Sequence, residues 1–110
     1  MARADRFEPA RHELPEIDRA ALEAARAADQ ALAAALDNGN ERWAAYLARV
    51  PDRLRDDPVS GVRSTARAVR AAYGPKDSIR DSLPETVTEP LLKSVDRLLK
   101  AIARHEMHAS

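Results

Sequence analysis

Two histidines near the C-terminal end of the sequence are spaced so that they could bind a metal ion. His105 and His108 lie three residues apart, which places them on neighbouring positions of a helix, and imidazole nitrogens are common zinc ligands. The zinc-protease pattern requires His-Glu-x-x-His, whereas this sequence reads His-Glu-Met-His. The two histidines are therefore predicted to be solvated residues at the end of a helix, and a metal site is the alternative. The sequence predicts no cofactor.

Three aspartates form a second cluster that could do chemistry. Asp52, Asp56 and Asp57 are close enough in sequence to act as an acid–base pair or to bind a metal ion. Arginines alternate with them, and the segment falls at the predicted end of a helix. Capping and ion pairing are the ordinary roles of carboxylates in such a setting. A metal- or small-ligand-binding helical enzyme is therefore kept only as a second alternative.

Two stripes of positive charge could follow a phosphate backbone. They consist of Arg63, Arg67 and Arg70 in one predicted helix and of Lys93, Arg97, Lys100 and Arg104 in another. Cations of this kind bind phosphates, but the formal net charge of the chain is zero and aromatic residues make up only 4% of it. The sequence thus offers little overall attraction and few stacking surfaces for nucleic acid. A nucleic-acid-binding regulator is the first alternative function, and it is disfavoured.

An aromatic pair offers a further candidate site. Trp43 and Tyr46 are three residues apart and share one face of a predicted helix. Large aromatic side chains at helical spacing are typical of a hydrophobic core. The alternative is that the pair lines a small-molecule pocket.

The elements that position these residues are all predicted to be helices. A first helix begins at Pro15 and ends at Asn38-Gly39, and a second is capped by Asn40. Pro51 interrupts the second helix, and a kinked helix is favoured there over two separate ones. A third helix begins after Asp57-Pro58 and ends at Gly74-Pro75, Asp77 caps a short turn, and a last helix begins at Thr88-Glu89-Pro90. Caps, prolines and glycines at these places are typical helix boundaries. Because strand signals are nearly absent, the sequence predicts an all-α fold, a small antiparallel bundle of about four helices.

Length and composition set the remaining expectations. The 110 residues fit one helical domain, residues 15–110, preceded by a polar and flexible N-terminal arm, residues 1–14. Cysteine is absent, which excludes disulfides and thiol chemistry. No signal-peptide pattern and no run long enough to cross a membrane occur, so we expect a cytoplasmic protein without a membrane partner. Arginine strongly outnumbers lysine, which is typical of a bacterial genome rich in G and C.

The first predicted helix carries a seam of small residues that suggests an interaction surface. Its members are Ala21, Ala24, Ala28, Ala31 and Ala35, which recur at helical spacing and permit close approach of another helix. Residues 1–57 hold nine basic and twelve acidic side chains, and residues 58–110 hold nine and six, so the two halves attract each other. Both features fit an antiparallel two-fold contact. We therefore expect a non-enzymatic protein–protein interaction, scaffold or regulatory module that associates with itself as a homodimer.

Overall fold

The computed structural model describes residues 9–109, and their side chains up to residue 107. Within this range the chain forms a short 3-10 turn, Arg11–Glu13, and six α-helices without any strand. In chain order these are α1, Pro15–Asp37; α2, Glu41–Leu47; α3, Val50–Asp56; α4, Val59–Ala71; α5, Ile79–Ser82; and α6, Glu85–Ala109. The all-α prediction is confirmed.

The helices form an antiparallel four-membered bundle in which α2 and α3 together act as one member. The long helix α1 packs mainly against α6 and also against α2 and α3, while α4 packs against α3 and α6. The pairs α1 with α4 and α6 with α2 are therefore diagonal across the bundle. This arrangement agrees with the predicted four-helix architecture.

The alanine seam of α1 lies inside the bundle. All five seam alanines have 0% of their surface exposed, and α6 presents its bulky buried residues to the same core, including Leu91, Val95, Leu98 and Ile102. Small side chains on one helix let the bulky side chains of the other reach its backbone, since the distance between packed helices depends on the residues at the contact. The seam is an internal interface. This corrects the expectation that it forms a surface on which a second copy docks.

The second predicted helix is divided rather than kinked. It ends at Leu47 and a new helix begins at Val50, so the prediction of one kinked helix is wrong. In a continuous helix the ring of Pro51 would meet the carbonyl of Leu47, whereas in the first turn of α3 a proline needs no hydrogen-bond donor. Trp43 is buried, as a core position predicts, together with Leu47, Val50 and Leu54, but Tyr46 is 40% exposed.

The last helix begins three residues earlier than predicted. It starts at Glu85, directly after Pro84, whose carbonyl accepts a hydrogen bond from the backbone N–H of Thr88 at 3.0 Å. Pro90 consequently lies inside the helix. It costs one intrahelical hydrogen bond near the N-terminal end, where the packing of the following leucines and valine holds the helix in place.

Part of the predicted arm is anchored to the bundle. Nη1 of Arg11 donates to the backbone carbonyls of Leu54, Arg55 and Asp57 at 2.8, 2.7 and 3.0 Å, and Nε donates to Asp18 at 2.9 Å. The guanidinium thereby caps the C-terminal end of α3, where cations are favourable. Residues 9–14 are thus attached to the core, while residues 1–8, including Phe7, lie outside the described part of the chain.

Replacing Ala24 with leucine tests the internal seam. Because Ala24 is fully buried, the larger side chain overpacks the core, and we expect the free energy of unfolding to fall by about 1–3 kcal/mol in urea denaturation. Ala33→Leu is the matched control, because Ala33 is exposed on the same helix; its effect should stay within about 0.5 kcal/mol. Equal effects of the two variants would contradict the internal position of the seam.

Replacing Arg11 with alanine tests the anchor. The variant leaves the carbonyls at the end of α3 without their charged donor, so we expect a loss of about 1–3 kcal/mol in the free energy of unfolding. Arg26→Ala is the control, since Arg26 is exposed on α1 and forms no ion pair with a described residue. If both variants unfold at the same urea concentration, the Arg11 contacts do not stabilise the bundle.

Candidate functional site

An open groove of about 720 Å³ lies between α2 and the C-terminal end of α4. Its lining combines small apolar side chains, two aromatic rings and a few charged groups: Arg42, Trp43, Ala45, Tyr46, Ala68, Ala71, Ala72, Gly74, Lys76 and Asp77. We name this feature the α2–α4 groove.

The groove lies between two helices that share only α3 as a neighbour. Helix α2 packs against α1 and α3, whereas α4 packs against α3 and α6. On α4 the wall is built from Ala68, Ala71 and Ala72, whose methyl groups are too small to reach across to α2. The apolar side chains that line the groove, which larger residues on α4 would have covered, therefore stay exposed to solvent.

Two aromatic residues form the α2 wall. The rings of Trp43 and Tyr46 meet edge to face, with centroids 5.3 Å apart and an interplanar angle of 80°, an arrangement that aromatic pairs favour. The guanidinium of Arg42 lies over the Trp43 ring at 5.1 Å from its centroid, a cation–π contact. Trp43 is only 5% exposed, so Tyr46 is the aromatic residue that the groove offers to a ligand.

The hydroxyl of Tyr46 connects the two walls. It donates to the backbone carbonyl of Ala68 at 2.9 Å. This carbonyl is available because the N–H of Ala72 bonds to Val69 in the tightened last turn of α4. A tyrosine hydroxyl is protonated at neutral pH and can donate, and burial raises the pKa of Tyr46 further above its ordinary value.

A second, smaller cleft of about 180 Å³ adjoins the groove. It is lined by Tyr46, Val50, Arg53, Ser64, Thr65, Ala68 and Val69. Because Tyr46 and Ala68 line both cavities, their hydrogen bond marks the border between them. The α2–α4 groove and this cleft together form one depression that runs along α4 beside α2 and α3. We name it the apolar furrow.

The loop at the end of the groove holds a strained residue. Asp77 has a φ of +51°, a left-handed conformation that costs a residue with a side chain free energy. It does not cap α5 as predicted: Ser78 occupies that position, and its N–H donates to Asp81 at 3.3 Å. Strain of this kind is often retained at functional sites, and Asp77 lines the groove.

The structure separates the two predicted basic stripes. On α4, Arg63 and Arg70 form ion pairs with Glu106 and Asp96 of α6, whereas on α6, Arg97 and Arg104 pair with Glu23 and Glu16 of α1. Since α1 and α4 pack on different sides of α6, these stripes do not merge into one surface. Arg67, Lys93 and Lys100 are the stripe residues that form no ion pair with a described residue.

The opposite charges of the two chain halves meet within one molecule. Arg97 contacts Glu23 at 3.1 Å, and Arg104 pairs with Glu16; in both pairs the acidic group belongs to the first half. The contact with Arg104 also lowers the pKa of Glu16, mainly through the hydrogen bond. The charge asymmetry therefore helps to align α1 with α6 and does not require a second copy.

Of the other predicted site residues, Asp52, Asp56 and Asp57 line one open depression of about 300 Å³ together with Arg49 and Arg53, a setting of mixed charge that fits ion pairing. His105 is half-buried, and the side chain of His108 lies outside the described residues. Asp52 pairs with Arg55 at 3.0 Å, and the backbone carbonyl of Asp57 accepts a bond from Arg11. No group of three potential metal ligands occurs among the described residues.

Sequence reasoning missed most of the groove. Trp43 and Tyr46 were identifiable from their type and spacing, with a pocket as the alternative to a core position. Arg42, Lys76 and the alanines of α4 gave no signal as a site, because they come from separate elements. The one indication in the sequence is the run of small residues near the end of α4, because small side chains leave space between a helix and the helix beside it.

Comparison with known proteins yields no relative: no protein-family model, curated protein or solved structure matches this chain. Among the described residues, no helix combines the length and the apolar character needed to span a bilayer. The groove must therefore be interpreted from its own geometry and chemistry.

Replacing Asp77 with glycine tests the strain in the groove loop. Glycine adopts positive φ without a steric penalty, so we expect the free energy of unfolding to rise by about 1 kcal/mol, measured by urea denaturation. Lys76→Gly is the control at the neighbouring position, where φ is not positive; it should lower stability by about 0.4–1 kcal/mol. A loss of stability in both variants would show that Asp77 stores no strain.

Proposed function

We propose that this protein is a non-enzymatic interaction module that binds a segment of a partner protein in the α2–α4 groove. The observation that carries the proposal is the apolar lining of the groove, in which Ala45, Ala68 and Ala71 are exposed to solvent. Exposed apolar surface bordered by polar groups is characteristic of protein-interaction sites.

The composition of the groove supports recognition of a peptide side chain. Small residues in this lining leave room for a bulky apolar group, and its burial against their methyl groups supplies a favourable free energy. Tyr46 adds an amphipathic ring at the centre of the furrow, and tyrosine is among the residues enriched at binding hot spots. Its hydrogen bond to Ala68 keeps the ring oriented before a ligand binds, which lowers the entropy cost of binding.

Self-association remains a prediction, but its basis has changed. The alanine seam that suggested a homodimer is buried in the bundle. The opposite charges of the two chain halves form ion pairs between α1 and α6 of the same chain. A second copy of this chain would have to use another surface. The nucleic-acid alternative is weakened in the same way, because four of its seven cations are in ion pairs within the chain.

Selection from a random peptide library tests the proposed function. Peptides of about 16 residues, long enough for four helical turns, are selected on the wild-type protein and then measured against Ala71→Trp, which fills the groove. Ala71 is exposed, so the variant should fold. We expect the selected peptides to bind this variant at least about tenfold more weakly, as for other interfaces that lose a central contact.

Ala103→Trp is the matched control, because Ala103 is exposed on α6 and does not line the groove. Selected peptides should bind this control as they bind the wild type. The proposal is wrong if the library yields no binder, or if the binders tolerate Ala71→Trp as well as they tolerate Ala103→Trp.

A further inference from the structure

Unpaired positive charges surround the apolar furrow. Arg42 and Lys76 line the α2–α4 groove, and Arg53 lines the adjoining cleft. Arg67 lies three residues after Ser64 and four before Ala71, so it shares their face of α4. None of these four cations forms an ion pair with a described residue.

Few carboxylates line these two cavities, although Arg53 also borders the separate depression of Asp52, Asp56 and Asp57. Of the described residues that line the two cavities, Asp77 is the only acidic one. Seven arginines elsewhere in the bundle contact a carboxylate: Arg11, Arg55, Arg63, Arg70, Arg80, Arg97 and Arg104. The linings of the two cavities thus hold three cations and one carboxylate, on a chain whose formal net charge is zero.

The two cavities are spaced like successive turns of a helix. On α4 the larger groove is lined by Ala68, Ala71 and Ala72, and the smaller cleft by Ser64, Thr65, Ala68 and Val69. Their centres are therefore about four residues apart along α4, roughly 6 Å. Apolar side chains at positions i and i+4 of a bound helix have the same spacing.

We propose that the partner segment is an acidic amphipathic helix, which places apolar side chains at i and i+4 in the two cavities and its carboxylates against Arg42, Arg53, Arg67 and Lys76. This inference rests on the proposed function and specifies its ligand. Binding an amphipathic helix in an apolar groove is a common mode of peptide recognition. Complementary charge at the rim speeds association and sets the choice of partner.

A peptide fits the furrow better than nucleic acid does. Single-stranded nucleic acid is bound by successive aromatic platforms, whereas this furrow offers only Tyr46, because Trp43 is 5% exposed and Arg42 lies over its ring. The apolar lining of the groove consists of methyl groups, which match leucine-like side chains. Cations at the rim and apolar groups at the centre are the complement of an acidic amphipathic helix.

Fluorescence anisotropy with two designed peptides tests the inference. The first probe is a labelled helical peptide of about 16 residues with leucines at i and i+4 and glutamates beside them; its twin carries lysine in place of every glutamate. We expect the acidic peptide to bind at least about tenfold more tightly than its twin at low salt. This preference should shrink as NaCl is raised from about 20 mM to about 500 mM, because salt screens exposed charges.

Reversing the charge of two cations beside the furrow tests whether they cause the preference for the acidic peptide. The double variant Arg67→Glu/Lys76→Glu should weaken binding of the acidic peptide by about tenfold or more and strengthen binding of the lysine twin. Lys93→Glu/Lys100→Glu is the matched control: it makes the same change in net charge at two exposed, unpaired lysines of α6. Circular dichroism confirms that each variant is folded.

Three outcomes would overturn the inference: equal binding of the two peptides, equal effects of the two double variants, or tighter binding of a labelled single-stranded oligonucleotide that Arg67→Glu/Lys76→Glu abolishes. Failure of the proposed function is recognised separately. If library-selected peptides still lose affinity for Ala71→Trp while charge reversal has no effect, the groove is an interaction site but its ligand is not acidic.

Discussion

Helices α1 and α6 pack closely along their length and form the centre of the bundle. One helix contributes small side chains, among them Ala24, Ala28 and Ala31, and the other contributes bulky ones such as Leu98 and Ile102, all of them buried. Alanine alone buries little surface, so α1 gains its stability from the side chains that α6 places against it. The two longest helices of the described chain thereby form one unit, and the shorter helices pack on its sides.

This arrangement also explains where the surface groove forms. Helix α2 is attached to α1, and α4 is attached to α6; the break after Leu47 separates the path of α2 from that of α3, which does contact α4. Because Ala68 and Ala71 do not fill the space between α2 and α4, the gap remains. Tyr46 bridges it with a single hydrogen bond to the Ala68 carbonyl, which fixes the width of the furrow without closing it.

The ion pairs, like the core contacts, connect α6 with the helices on either side of it. Ion pairs join α6 to α1 on one side and to α4 on the other, as in Arg97 with Glu23 and Arg70 with Asp96. Such exposed pairs each contribute only about 0–1 kcal/mol, so they adjust the alignment of helices that the core already holds. The cations beside the groove, including Arg67 and Lys76, have no such partner in the described chain, and they give this surface a charge that the whole molecule lacks.

The helices and their approximate boundaries are predictable from the sequence, because apolar spacing, prolines and caps act locally. The sequence identified Ala24 and Ala28 as a close-packing face, but local pattern cannot tell whether the helix that covers such a face belongs to the same chain. It did not place Arg42, Ala68 and Lys76 together, since they come from different elements. Tertiary structure decided both matters: the core that α6 supplies buried the alanines, and the divergence of α2 from α4 left the groove open.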